Sequence, residues 1–136
     1  ARTLAIRAIR QSLDSLGRYV FLLILGTGNP ISMAVFSAEG ADSFDGLEWC
    51  QTVVDHDSGF LFHLSQADFF IGQSVWSATD FPFHIKVLSH NLEFYRDWMD
   101  RLHRAETKKL KMEFCQFNFP NRIYRICAES LGWTEI

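Results

Sequence analysis

Basic residues are missing from half of this 136-residue chain: positions 19 to 85 hold no Lys and no Arg. Cysteine and proline are also scarce, at three each. Cys50, Cys115 and Cys127 are odd in number and show no C-x-x-C spacing. That pattern argues against a disulfide framework and against a structural zinc site. Free thiols among apolar neighbours suit a reducing compartment, so a cytoplasmic location is expected. The longest apolar run, residues 19–25, is far short of the ~20 residues of a membrane helix. Arg7, Arg10 and Asp14 interrupt the stretch that would otherwise read as a secretory signal. No membrane partner is expected. The chain also lacks G-x-G-x-x-G, G-x-x-x-x-G-K-[ST] and G-x-S-x-G, the usual settings of nucleotide phosphates and nucleophilic serines.

What the chain has is aromatic mass. Thirteen Phe, four Trp and three Tyr, with 48% apolar residues overall, are enough to fill the core of one domain spanning 1–136. Sixteen acidic against thirteen basic residues leave a net charge of −3, which argues against a nucleic-acid-binding surface.

Periodicity predicts a helix over residues 2–16, with Ile6, Ile9, Leu13 and Leu16 inward and Gly17 ending it. Residues 18–25 and 31–37 read as a β-hairpin around Gly26-Thr27-Gly28-Asn29-Pro30, its first strand buried on both faces. Residues 43–56 admit two readings. One is a helix with Phe44, Leu47, Cys50 and Val54 on one face. The other is a strand over 50–54 paired with 60–64 across the turn 55–59. Strands are further expected at 60–65, 69–77, 83–89 and 111–118, with Pro82 at a strand start. Helices are expected at 90–108, with a Leu92, Tyr95, Met99 and Leu102 seam, and at 121–131, ended by Gly132. The fold class is α+β: a mostly antiparallel sheet packed by N-terminal, middle and C-terminal helices. This element order resembles the longin or profilin-like layout, and residues 53–63 resemble the start of a PAS domain. Each resemblance covers little of the chain, and no family is assigned on either.

Charge is segregated along the chain. The first 18 residues carry four Arg and one Asp, and residues 86–136 carry nine basic and seven acidic groups. Between them Glu39, Asp42, Asp45, Glu48, Asp55, Asp57, Asp68 and Asp80 stand without a cation. An anionic face of this kind speeds encounter with a basic protein. The terminal arginines could instead fold back on these acids in surface pairs worth about 0–1 kcal/mol each. Trp76, between Asp68 and Asp80, is the candidate interface anchor.

Other chemistry is sparse. Asp55-His56-Asp57-Ser58-Gly59 could poise a base or hold a metal, but these are also turn residues. His63 and His84 each alternate with apolar residues and would meet if their strands were neighbours. His90 and His103 are expected to face solvent. Gly26-Thr27-Gly28 follows a strand, but the strand-like run after Pro30 lacks the helix a phosphate loop needs.

Two readings follow. The first is a small non-enzymatic interaction protein, of inhibitor, immunity or adaptor type, that presents its acids and Trp76 to a basic partner. It binds no nucleic acid, cofactor or metal, and it could form a homo-oligomer. The alternative is a small-molecule-binding or enzymatic domain with an aromatic-lined pocket using His63 and His84.

Overall fold

The computed structural model describes residues 1–133. Helix α1 runs Arg2–Asp14, and Gly17 turns the chain away with φ +71°. Of its expected inward seam only Ile6 is buried, while Ile9 and Leu16 are exposed. Then come β1 (Leu23–Leu25), α2 (Pro30–Ala38), β2 (Ser43–Asp45), the short α3 (Glu48–Gln51), β3 (Thr52–Val54) and β4 (Leu61–His63). Three 3₁₀ turns, Leu64–Phe69, Ile71–Gln73 and Val75–Ala78, lead into the long α4 (Phe83–Arg104). Helices α5 (Lys108–Asn118) and α6 (Asn121–Leu131) follow.

The α+β class holds, but the expected antiparallel sheet does not form. The strands make two separate pairs: β1 with β2 in parallel, and β3 with β4 antiparallel. The correction begins at residues 30–38, which form a helix and not the second strand of a hairpin. The Asn29 side chain accepts from Ser32 N at 3.2 Å, and Pro30 occupies the first turn, where its missing N–H costs nothing. Every residue from Met33 to Ala38 is buried. A helix wrapped on all sides carries no amphipathic signature, so its apolar run reads like a buried strand. As a result β1 and β2 lie side by side with α2 as their crossover. Leu22 and Ile24 pack inward with Phe44 on Ile6, Phe36 and Ala41. Leu23 and Leu25 face outward and are exposed, so β1 is covered on one face and not on two.

Between 43 and 56 each reading holds in part: Glu48–Gln51, including Cys50, is the short helix α3, and only Thr52–Val54 forms the expected strand, with Val53 opposite Phe62. Residues 69–77 form 3₁₀ turns, and 83–89 form the first two turns of α4, with Pro82 before its start. The buried stripe of α4 is Val87, His90, Asn91, Phe94, Trp98 and Leu102. It recurs at three- and four-residue steps, one helix face. Leu92, expected in that seam, is exposed. Residues 111–118, expected as a strand, belong to α5, whose N-terminus is capped by the Thr107 side chain accepting from Leu110 N at 3.2 Å. Gly132 ends α6 in the left-handed conformation that glycine tolerates best.

The main core gathers Ala34, Val35 and Ala38 of α2, Val54 of β3, the α4 stripe from Phe94 to Leu102, Met112 and Cys115 of α5, and Phe119, Leu131 and Trp133. Among the described residues no helix is long and apolar enough to cross a membrane.

Candidate functional site at the ends of the parallel strands

Strands β1 and β2 run the same way, so both deliver their following loops to one end of the pair. Gly26-Thr27-Gly28-Asn29 leaves β1 for α2, and Gly46-Leu47 leaves β2 for α3. Side chains of helix α4 fix the first loop and the elements that follow the second. The Tyr95 hydroxyl donates to Gly28 O at 2.6 Å, and the Trp98 indole N–H donates to Pro30 O at 3.1 Å. Buried Asn91 donates to Trp49 O and Thr52 O, at 2.9 and 2.7 Å, and accepts from Val54 N at 3.0 Å. One helix therefore holds the first loop and, beyond the second, α3 and β3.

Between these loops lies a cavity of about 190 Å³, lined by Thr27, Gly28, Met33, Phe44, Gly46, Trp49, Tyr95 and Met99. Three aromatic rings and two thioethers make its walls polarisable and apolar. Glu48 does not line the cavity but stands against two residues that do. Its carboxylate is wedged against Gly28 and Gly46, where a side chain on either glycine would collide with it. Glu48 Oε2 is shielded from solvent and has no hydrogen-bond partner. Such an atom is costly to bury and is rare in folded proteins. Burial, and after it the nearby Glu48 charge, push the Tyr95 hydroxyl well above its ordinary range, so it remains a donor to Gly28 O.

A helix does follow the Gly26–Pro30 loop, against expectation. The loop still makes a poor anion cradle, because a carboxylate already stands against Gly28.

The eight acids sit in different surroundings. Glu39 is buried and held by Arg7, by Lys108 at 3.2 Å and by the Trp133 indole N–H at 2.7 Å. Burial alone would raise its carboxyl, but these hydrogen bonds together hold it below the usual carboxylate range. It has no surface to offer a partner. Asp42 accepts from Leu22 N at 2.7 Å, Arg10 at 3.4 Å and the Tyr19 hydroxyl. Asp45 is exposed at the end of β2. Asp55 closes the β3–β4 turn, accepting from Ser58 Oγ at 2.6 Å and Gln73 Nε2 at 2.7 Å. Burial tends to raise it, but these bonds prevail and hold it low. Asp57, Asp68 and Asp80 are exposed. Trp76 is half-buried and stacks on Phe81.

His63 and His84 do not meet. His63 is exposed and caps the next turn by accepting from Ser65 N at 3.1 Å. His84 is exposed in the first turn of α4 because its segment is helical and not a strand. Sequence reasoning misplaced His90, which is fully buried. Its Nε2 donates to Val54 O at 2.7 Å, and its ring stacks on His56 with centroids 4.0 Å apart. The signal was present: with Val87 and Phe94, His90 continues a helical stripe that began before residue 90. Among the described residues no group of three or more His, Cys, Asp or Glu side chains is arranged to hold a metal ion. The chain matches no protein-family model, no curated protein and no solved structure.

Proposed function

We propose that this chain binds a small, flat, nitrogen-bearing organic molecule in the cavity at the carboxyl ends of β1 and β2. The observation that carries this reading is the buried Glu48 oxygen without a partner, set against Gly28 and Gly46 of the lining, from which the carboxylate turns toward the cavity to meet a guest. A carboxylate accepts hydrogen bonds and donates none when ionised, so the matching group is an ammonium, an amidinium or another N–H donor. The rings of Phe44, Trp49 and Tyr95 suit a flat or cationic guest. Ligands of parallel sheets commonly sit beyond the carboxyl ends of the strands. At about 190 Å³ the space is below the 300–1,000 Å³ of drug-sized sites, which restricts the guest to a fragment.

This keeps the aromatic pocket of the alternative reading but moves its polar contact from His63 and His84 to Glu48. The acidic-surface reading draws less support, because Glu39 and Asp42 are engaged within the fold.

Benzamidine and its neutral analogue benzamide provide the test, followed by NMR at the indole N–H of Trp49. Benzamidine should shift that signal saturably and benzamide should not, and Glu48→Gln should abolish the difference. Equal responses to the two probes, or an unchanged response in Glu48→Gln, overturn the assignment.

A further inference from the structure

The outer face of α4 borders a second concavity, of about 350 Å³, lined by Val75, Trp76, Ser89, Leu92, Glu93 and Arg96. Ser89, Leu92, Glu93 and Arg96 follow one another at the spacing that keeps them on one side of a helix. The opposite wall is the turn Val75–Ala78. It is held to α4 by Lys86, whose ammonium donates to Ser77 O at 3.2 Å, and stiffened by Trp76 stacking on Phe81. Val75 and Leu92 are aliphatic and exposed.

Two opposite charges in this groove lack partners. Glu93 lines the groove, and its Oε2 is bonded to nothing but is shielded from solvent, so the carboxylate turns outward to meet a ligand there. Arg96 makes no ion pair among the described residues, whereas the next charges along the helix do: Arg101 with Asp97 and Arg104 with Asp100, each at 2.9 Å. Glu93 and Arg96 sit one turn apart, with Cβ atoms roughly 5–6 Å from each other by helix geometry, yet they do not pair. The groove thus offers an acceptor, a forked donor, a hydroxyl and an apolar wall ending in an indole. A lone cation would leave Arg96 unanswered, and a lone anion would meet Glu93.

We propose that this groove binds a free α-amino acid with an apolar side chain. Glu93 takes the ammonium, Arg96 takes the carboxylate, and Val75, Leu92 and Trp76 hold the side chain. A volume of about 350 Å³ is at the low end of small-molecule sites, roughly 300–1,000 Å³, which suits a ligand of that size. Glu93 and Arg96 also border a neighbouring concavity with His56, Phe94, Asp97 and Arg101. There the Asp97–Arg101 pair is already satisfied, and no aliphatic side chain lines the space.

Three probes separate the free amino acid from related chemistry: L-leucine, N-acetyl-L-leucine and L-leucinamide. The readout is the indole N–H signal of Trp76, assigned by its loss in Trp76→Phe. Leucine should shift it saturably. N-acetyl-leucine lacks the ammonium and leucinamide the carboxylate, so each should bind about tenfold or more weakly, the scale of a lost charge-assisted hydrogen bond. Glu93→Gln and Arg96→Gln should weaken leucine by a similar factor while the remaining spectrum stays unchanged. Three probes binding alike, leucine binding that survives both substitutions, or no saturable shift up to leucine's solubility limit each overturn the assignment.

Discussion

Gly28→Ala tests the geometry at the parallel strand ends. A Cβ on Gly28 would lie 2.9 Å from Glu48 Cδ and 3.4 Å from Glu48 Cβ, and closer still to Oε2. Carbon atoms rest about 3.5–4.0 Å apart, so the carboxylate must move. Overpacking of this kind costs about 1–3 kcal/mol. Only the Glu48 side chain lies in the way, so Glu48→Ala should restore most of the loss. Glu48→Ala alone should be near neutral or stabilising, since it removes a buried oxygen with no partner. The coupling energy of the cycle is expected at about 1–3 kcal/mol. Gly46→Ala is the control. Its Cβ would also lie 2.7 Å from Gly28 N and 2.9 Å from Thr27 C, which are backbone atoms and cannot give way. Glu48→Ala should not rescue that variant. Urea unfolding followed by circular dichroism reads all six proteins. A Gly28→Ala protein as stable as the parent, or a double variant no better than Gly28→Ala alone, refutes the wedge and weakens the case for Glu48 as a ligand-pairing group.

Two further outcomes follow from α4. Asn91→Ala removes three hydrogen bonds and strands Val54 N, Trp49 O and Thr52 O, so a loss of about 3 kcal/mol or more is expected in urea unfolding; a loss below about 1 kcal/mol would show that α4 does not hold α3 and β3 through Asn91. Burial holds the His90 imidazole below its ordinary range, and the bond to Val54 O and the nearby Glu93 and Asp55 charges oppose this only in part. The unfolded chain therefore takes up this proton near pH ~6.5 while the folded one resists it, so stability is full above that value and declines as pH falls through the window below. Thermal unfolding between about pH 7 and 5 should show this slope, and His90→Gln, which keeps a donor for Val54 O, should flatten it; a parent midpoint that does not change with pH refutes the buried neutral imidazole.

Local chemistry made several features legible from the residues alone. The first and last helices follow from their periodicity and from Gly17 and Gly132. The pairs Asp97–Arg101 and Asp100–Arg104 stand at i,i+4 spacing within the helix read over 90–108, and both form. The pairing of 52–54 with 61–63 was open as one of two readings because a turn of Asp, Ser and Gly lies between them. Tertiary contacts decided the rest. Residues 30–38 are mostly apolar with no one-sided pattern, and beyond the Asn29 cap and Pro30 it is enclosure by α1, α4 and α5 that makes them a helix instead of a strand. Glu39 counted as a surface acid until folding brought Arg7, Lys108 and Trp133 to it from three distant parts of the chain. Glu48 was visible only as one acid among eight. Its unpaired oxygen arises because a parallel crossover brings Gly28 and Gly46 together around it, and sequence spacing carries no record of such a meeting between distant loops.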